Sequence, residues 1–569
     1  MSDESRAEYK LVQAKLKEMK PLYDRMDGDE KLYLLEPFRM KQLGSSVDEK
    51  DVSNVTLNDP LLYAKKAIAI TGSYQKQTVI EGKELTDKQT TKIEKFLEDI
   101  FYMVDEWLPK RGIPSLDGFI NEQACNRGRI GARSCLKLDG EGSIIPDVVP
   151  VDTRWFPLDA ASDGMIWGAP ICSRSKAQIE REYPDIGIKL KDSGNQVIDF
   201  WNATNELVFV EKTIGKDEIN SYGYPPFVIA KCPIGCMLNT ENALEHDGES
   251  IFWPNRGLWK EKNEIVTILK TLSRKALKGG LEIQRGPNSP DRGKKADASP
   301  YEEDVVIETE IGGGFRQIPV NDIKSATRLL YQIIETCLQR GELTPLDYGT
   351  LAFPLSSVAI LNLIAARNDI FAPILSMIAS FYQALSRMII DQCVQLNQTI
   401  KLGRPGGYNT YSPGDFAGEF SINYQFHLLS KEQTAADATL AKALRGVVSD
   451  DYILREVLKV QNPEGMKFEL QVQQAEEMDE VLSLFNKGLS FLRQAEDMSG
   501  IEQEIMELEA KTLMQRIKTI LRQRQTLGQL SPIEGKREEP KQEDLLPLLE
   551  KGGTGAKGTA RPEAEETET

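Results

Sequence analysis

The chain has 569 residues, 70 Lys+Arg and 87 Asp+Glu, and a formal net charge of −17. That length exceeds one compact core and implies several modules. The acidic balance argues against a protein that wraps nucleic acid by neutralising phosphates. With 40% hydrophobic and 28% charged residues, the composition is that of an ordered, water-exposed protein.

Residues 1–51 read as a charged, helix-prone arm with apolar residues at Leu11, Leu16, Met19 and Leu22. Its polar start carries no apolar signal segment. Between 52 and 102 two helical patterns are expected. Pro60-Leu61-Leu62-Tyr63-Ala64 opens one, and Thr86 with Gln89 opens the other as a capping box. Ile93, Phe96, Leu97, Ile100, Val104 and Leu108 then recur at helical spacing. From Ala132 to Val228 the pattern changes to short strands, expected at 132–138, 146–151, 197–201 and 206–212, with a short helix over 175–182. This region is expected to be an α+β module with an antiparallel sheet.

Residues 252–277 carry a single long helical pattern. It is locally basic, with Arg256, Lys260, Lys262, Lys270, Arg274, Lys275 and Lys278 against Glu261 and Glu264. A turn-rich insert, 279–320, has strand-like runs at 281–284, 305–309 and 315–318. A second helix follows over 322–339. The loop from Arg340 to Thr350 leads to a very apolar helix over 357–396, in which Pro373 is expected to produce a kink. A strand over 419–428 and further helices between 431 and 524 complete the ordered part. The end is too poor in apolar residues to offset chain entropy and is expected to be disordered.

Motifs of chemistry are weak. Gly286…Gly293-Lys294-Lys295 has the wrong gap and no Ser/Thr for a phosphate loop, and Gly553…Gly558-Thr559 has no Lys. Gly312-Gly313-Gly314 opens no helix. Cys232 and Cys236 make at most half a zinc site. His246 and His427 are the only histidines, too few for a multi-His centre. Seven cysteines in an odd, scattered set suggest reduced thiols rather than a disulfide framework. The acidic run Glu302-Glu303-Asp304 allows a metal-dependent nuclease as an alternative, although a solvated turn is the simpler account. The charge-poor stretch from Tyr348 to Ser386 raises a membrane pore. Pro354, Arg367, Asp369 and Pro373 interrupt it, so a buried helix is the better reading.

The order of elements is more informative than any motif. Together with Gly248-Glu-Ser-Ile-Phe-Trp-Pro-Asn255, Thr344-Pro-Leu-Asp-Tyr-Gly349, Pro354-Leu-Ser-Ser-Val-Ala359 and Val448-Ser-Asp-Asp-Tyr-Ile-Leu-Arg-Glu-Val457, it resembles the portal, or head-to-tail connector, protein of tailed bacteriophages over about residues 50–525. The resemblance implies a multi-domain α+β subunit of a ring, usually of twelve copies, with an axial channel. Residues 52–250 would be the wing, 251–278 and 321–339 the stem helices, 279–320 the clip and 340–356 the tunnel loop. Residues 357–428 would be the long wing helix and return strand, 429–527 the crown and 528–569 an acidic tail.

In that scheme Arg340, Glu342 and Asp347 would form charged rings, and Tyr348 and Thr350 would touch DNA backbone. Arg285, Arg292, Lys294 and Lys295 would form a docking rim on the clip, and Lys260, Lys262, Lys270, Arg274 and Lys275 a basic stem. The implied partners are other copies of the chain, the terminase large subunit, head-completion and tail adaptor proteins, and the major capsid and scaffolding proteins. Double-stranded DNA would pass through without sequence reading. The implied location is the portal vertex of the virion, after assembly in the host cytoplasm. Neither an enzymatic activity, a cofactor nor a membrane is expected.

Overall fold

The protein is described by a computed structural model. It covers residues 3–50, 52–83, 85–138, 144–184, 186–234, 243–277, 281–284, 314–317, 325–341, 343, 347–348, 357–404, 407–428, 440–449, 452–458, 460, 466–467, 470, 473–474, 479–496 and 501–526. The chain divides into two compact units, Met1–Phe468 and Glu469–Thr569. The sequence reading opened the last helical domain earlier, at 429. Both units mix helices with, in the first, small antiparallel sheets.

The first unit opens with helices α1 (Asp3–Glu18) and α2 (Lys20–Tyr33). These are followed by α3 (Asp59–Gly72), β1 (Tyr74–Glu81), α4 (Asp87–Trp107) and α5 (Leu116–Arg127). Pro60 sits in the first turn of α3, where its missing N–H costs nothing. Thr86 and Gln89 form the expected reciprocal cap on α4. Ile93, Phe96, Leu97, Ile100 and Val104 make the buried stripe of that helix.

Strands β2 (Arg129–Leu138), β3 (Ile144–Val151), β4 (Leu158–Ala161), β5 (Gly164–Gly168) and β6 (Ile171–Arg174) come next, then α6 (Lys176–Glu182). They are followed by β7 (Asn195–Asn202), β8 (Asn205–Val210), β9 (Thr213–Ile219) and β10 (Phe227–Lys231). A three-stranded sheet has the order β10-β2-β3. A six-stranded sheet has the order β4-β5-β7-β8-β9, with β6 also on β7. All pairings are antiparallel. The expected α+β module is therefore two sheets.

The arm is part of this body. Val12 of α1 is buried with Trp167, Ile198, Phe200 and Phe209 of the six-stranded sheet. Tyr9 meets the Phe209 ring edge-on at 5.7 Å.

The long helix α7 (Leu258–Leu277) is followed by β11 (Leu281–Gln284) and β12 (Gly314–Gln317), which pair antiparallel. Helix α8 (Ser325–Gly341) and the 40-residue α9 (Ser357–Leu396) follow. Helix α9 runs through Pro373 as one assigned helix. Arg367–Leu396 is long and apolar enough to cross a membrane by composition. However, Phe371, Ile374, Met377, Phe381, Tyr382, Leu385 and Ile389 are buried in the main core with α3, α4, α5 and β2. It is the central helix of that core.

Strands β13 (Ile400–Arg404) and β14 (Gly407–Tyr411) form a hairpin where the sequence suggested a loop. Strand β15 (Ser421–Leu428) pairs with β1, from Tyr74↔Leu428 to Glu81↔Ser421. Strand β1 was not anticipated. Its partner lies far away in sequence, and its fully buried Gln77 breaks any apolar alternation.

In the second unit α10 (Glu480–Glu496) packs on α11 (Ile501–Thr526). Leu484, Ala510 and Ile517 are buried there.

Candidate functional site

Helices α7 and α8 form a pair whose Trp259, Ile265, Ile334 and Leu338 are buried in the main core. Lys262 bridges to Glu335 at 3.0 Å, and Asn255 Nδ2 donates to Leu338 O at 3.2 Å. As α7 advances, its partners on α8 run backwards, so the pair is antiparallel. The β11–β12 hairpin connects the two far ends. At the near end Gly341 is required by close approach, because a Cβ there would lie 2.3 Å from Asn255 Oδ1.

A buried charge network locks the base of this pair. It is built from α2 and the segment 246–256. Glu249 Oε2 accepts from Arg25 Nη1 at 3.1 Å and from Arg256 Nη2 at 2.6 Å. His246 Nδ1 lies 2.6 Å from Glu249 Oε1. Asp29 accepts from Arg256 Nε at 2.6 Å and from Ser250 Oγ at 2.8 Å. The side chains of Asp29 and Glu249 are fully buried and that of Arg25 nearly so.

Two carboxylates and two guanidiniums cancel, which is what lets these charges leave water. Burial alone would raise the Glu249 carboxyl. Hydrogen bonds from Arg256 and His246 and the nearby Arg25 outweigh it, holding the group below its ordinary value. Gly128 closes the site from below. It adopts φ +67°, and a Cβ there would strike Glu249 O at 2.2 Å.

Two neighbouring ties extend the lock. Arg127 donates to Met26 O at 2.9 Å and to Asp152 at 3.0 Å. Arg154 grips Asp27 with two hydrogen bonds of 2.5 and 2.8 Å and stacks on Tyr23.

A second device runs along α7. The extended segment 53–57 belongs to no sheet, so its amides need acceptors. Ser53 N donates to Thr271 Oγ1, Val55 N to Thr267 Oγ1 and Leu57 N to Asn263 Oδ1, each at 3.0 Å. Alternate residues of an extended chain are ~6.6 Å apart. Helical residues four apart rise ~6.0 Å. The two repeats match closely enough for three rungs. We call this segment the strap. On another of its sides, Asn54 and Thr56 accept from Met40 N and Phe38 N at 2.9 and 2.8 Å.

The basic stem residues divide. Lys262 is held between Asp59 (2.8 Å) and Glu335 (3.0 Å). Arg274 donates to Ser53 Oγ at 2.7 Å. Both therefore tie separate segments of the chain together. Lys260 and Lys270 are exposed. Lys275 lies in the last turn of α7.

Of the loop residues, Arg340 sits in the last turn of α8, not in the loop, and is exposed. Asp347 is buried and accepts from Arg367 of α9 at 3.0 Å. It fastens the loop to the core helix within one chain. Tyr348 packs partly buried against the main core. Glu342 and Thr350 lie outside the described residues, as do Arg285, Arg292, Lys294, Lys295, the acidic run Glu302–Asp304 and Cys236. Cys232 is buried. Among the described residues no group of three or more His, Cys, Asp or Glu side chains could hold a metal ion.

Sequence reasoning missed Arg25, Asp29 and the strap. One signal for the strap was present. Asn263, Thr267 and Thr271 form a polar, uncharged stripe at four-residue spacing on an otherwise apolar and charged helix.

No protein-family model matches the chain, and no curated protein matches it. Among solved structures, a chain in the "Virion of native gene transfer agent (GTA) particle" aligns with 70% of this chain and 89% of its own length. It is 10% identical, with a TM-score of 0.34. A chain in the "Neck of empty GTA particle computed with C6 symmetry" aligns with 70% of this chain and 90% of its own length, at 11% identity and a TM-score of 0.34. Scores of that size leave the function to be argued from the chain's own residues.

Proposed function

We propose that this chain is a structural, non-enzymatic subunit of a cyclic assembly. The observation that carries the reading is the antiparallel pair α7–α8, rooted in the body by a buried charge network. Its fixed base, with Trp259, Ile265, Ile334 and Leu338 buried in the main core, suits a rigid structural element.

Within that class, we propose a portal subunit of a phage-like particle. The support is the order of elements together with the stretches 248–255, 344–349, 354–359 and 448–457, which resemble that family. The α7–α8 pair takes the place of the stem and the β11–β12 hairpin the root of the clip. The ring would sit at one vertex of the capsid, admit double-stranded DNA through its axis, and dock the terminase and later head-completion or tail proteins. Arg285, Arg292, Lys294 and Lys295 are proposed as the docking rim. Arg340, Glu342, Tyr348 and Thr350 are proposed near the channel, with Asp347 anchoring their loop. An acidic chain, −17 per copy, suits a conduit in which DNA must slide.

Negative-stain images of the purified chain test the reading. Closed rings with an axial hole are expected. Monomers or open fibres at every concentration reject it. For the portal assignment, shortening 343–352 is expected to leave rings intact and impair DNA packaging; loss of the ring itself would contradict the assigned place of that loop.

A further inference from the structure

The helix hairpin of the second unit is charged unevenly along its length. Residues 501–509 of α11 carry Glu502, Glu504, Glu507 and Glu509 and no base. Residues 511–526 carry Lys511, Arg516, Lys518, Arg522 and Arg524 and no acid. The helix dipole accounts for bases in the last turn only, and Lys511, Arg516 and Lys518 lie earlier. The hairpin is antiparallel, because residues 497–500 alone join α10 to α11. A Cβ at Gly488 would lie 3.6 Å from Met514 Cε, so positions 488 and 514 are level. Leu482 is then level with about residue 520.

Exposed apolar side chains collect at both ends of the hairpin, in opposite charge surroundings. Leu482, Phe485 and Leu521 are 43%, 41% and 44% exposed. They sit at the basic end with exposed Lys487, Arg516, Lys518 and Arg522. Ile505 and Leu508 sit among the glutamates at the other end. Charge complementarity therefore asks for an acidic apolar occupant at the first site and a basic one at the second.

The chain itself supplies the acidic one. Residues 527–569 lie outside the described residues. Within 531–569 leucine occurs only in Glu543-Asp544-Leu545-Leu546-Pro547-Leu548-Leu549-Glu550, which holds three acids and no base. This tail leaves α11 at Thr526, at the basic end. A linker running from 526 to 543 has an average span of ~20 Å. The stretch of α11 from 514 to 526 is of similar length, ~18 Å. A tether of that reach holds the segment at about millimolar local concentration.

We infer that residues 543–550 dock on the basic end of their own α10–α11 hairpin. The leucines cover Leu482, Phe485 and Leu521, and the carboxylates lie among Arg516, Lys518 and Arg522. The contact is made within one unit and does not depend on the cyclic reading.

Disulfide trapping tests it in the full chain, with Cys172→Ser and Cys337→Ser to remove the more accessible of the described thiols. Leu521→Cys with Leu546→Cys is expected to give, on mild oxidation, an intrachain bond. The product is a chain-sized species whose digest contains the 521–546 cross-linked peptide. Ile505→Cys with Leu546→Cys is expected to bond about tenfold more slowly or not at all. Equal rates at the two sites, or no bond at 521, overturn the inference. Bonds found only between chains assign the segment to a second copy and overturn it too. In a second arm, Glu543→Lys, Asp544→Lys and Glu550→Lys change only residues outside the helices. Reversing three exposed charges is expected to slow the 521–546 bond about tenfold, and an unchanged rate overturns the inference.

Discussion

The sheet body and the helix pair handle their surfaces differently. The body closes its core within one chain: β1 finds β15 across the sequence, Arg133 and Lys137 surround Asp147, and Val12 of the arm fills the six-stranded sheet, while Ile166 and Ile219 on the outer side of that sheet stay in solvent. The helix pair is finished only on the faces that touch the body, the strap and its own partner helix, and leaves Leu329, Leu330 and Ile333 in solvent. The contrast separates contacts made within the chain from the α8 surface that the proposed assembly would use.

That contrast can be broken most strongly at the base of the pair. Glu249→Ala removes the close carboxylate partner of the buried Arg25 and leaves the part-buried Arg256 with Asp29 alone, and breaking a buried pair costs ~3–5 kcal/mol. Chemical denaturation of the first unit should show a loss of that order. A change within ~0.5 kcal/mol, the range of ordinary surface substitutions, would mean the network is not holding the junction.

Acid should loosen the body next. Burial opposes ionisation of Asp147, but Arg133, Lys137 and Arg111 overcome it and lower its carboxyl from 3.8 to about 2. A depressed carboxylate stabilises the fold fully above its unfolded value and loses that contribution as pH falls through the folded one. At 1.36 kcal/mol per pKa unit, the amount is roughly 2 kcal/mol. Asp147→Asn should therefore flatten the fall in stability between about pH 4 and pH 2. An unchanged acid limb would contradict the assigned contacts.

The strap should respond less. Thr267→Val keeps the shape and removes the acceptor of Val55 N, a loss of ~1 kcal/mol. Hydrogen exchange at the Val55 amide should accelerate, with the amides of β2 unaffected. Equal protection in the variant would show that the rung is not formed in solution.

The smallest effect on stability is expected on the outer stripe. Leu329→Lys with Ile333→Lys should shift the unfolding free energy by no more than ~0.5 kcal/mol while abolishing assembly. A large destabilisation would place those residues inside the folded chain.

How much of this was legible in the sequence follows from where each signal resides. Helices α4, α7, α8 and α9 announced themselves through apolar spacing, and the cap at Thr86 through local chemistry; the matching cap at Ser175 went unread. The pairing of β1 with β15 and the β13–β14 hairpin did not: β1 buries Gln77 and pairs with a strand more than 300 residues away, and β13 and β14 are short and carry mostly exposed polar residues. The stretch 248–255 stood out, and Glu249 within it proved central. Its partners Arg25 and Asp29 lie more than 200 residues away, where a charge run on an arm reads as solvated surface. The basic residues of α7 looked alike in sequence. Only the fold separates Lys262 and Arg274, which hold the protomer, from Lys260 and Lys270, which face solvent.

Native mass measurement of the purified chain tests the central claim most directly. The account predicts one closed oligomer, a single whole-number multiple of the chain mass that persists on dilution. A monomer at all concentrations, or a continuous series of sizes, would contradict it.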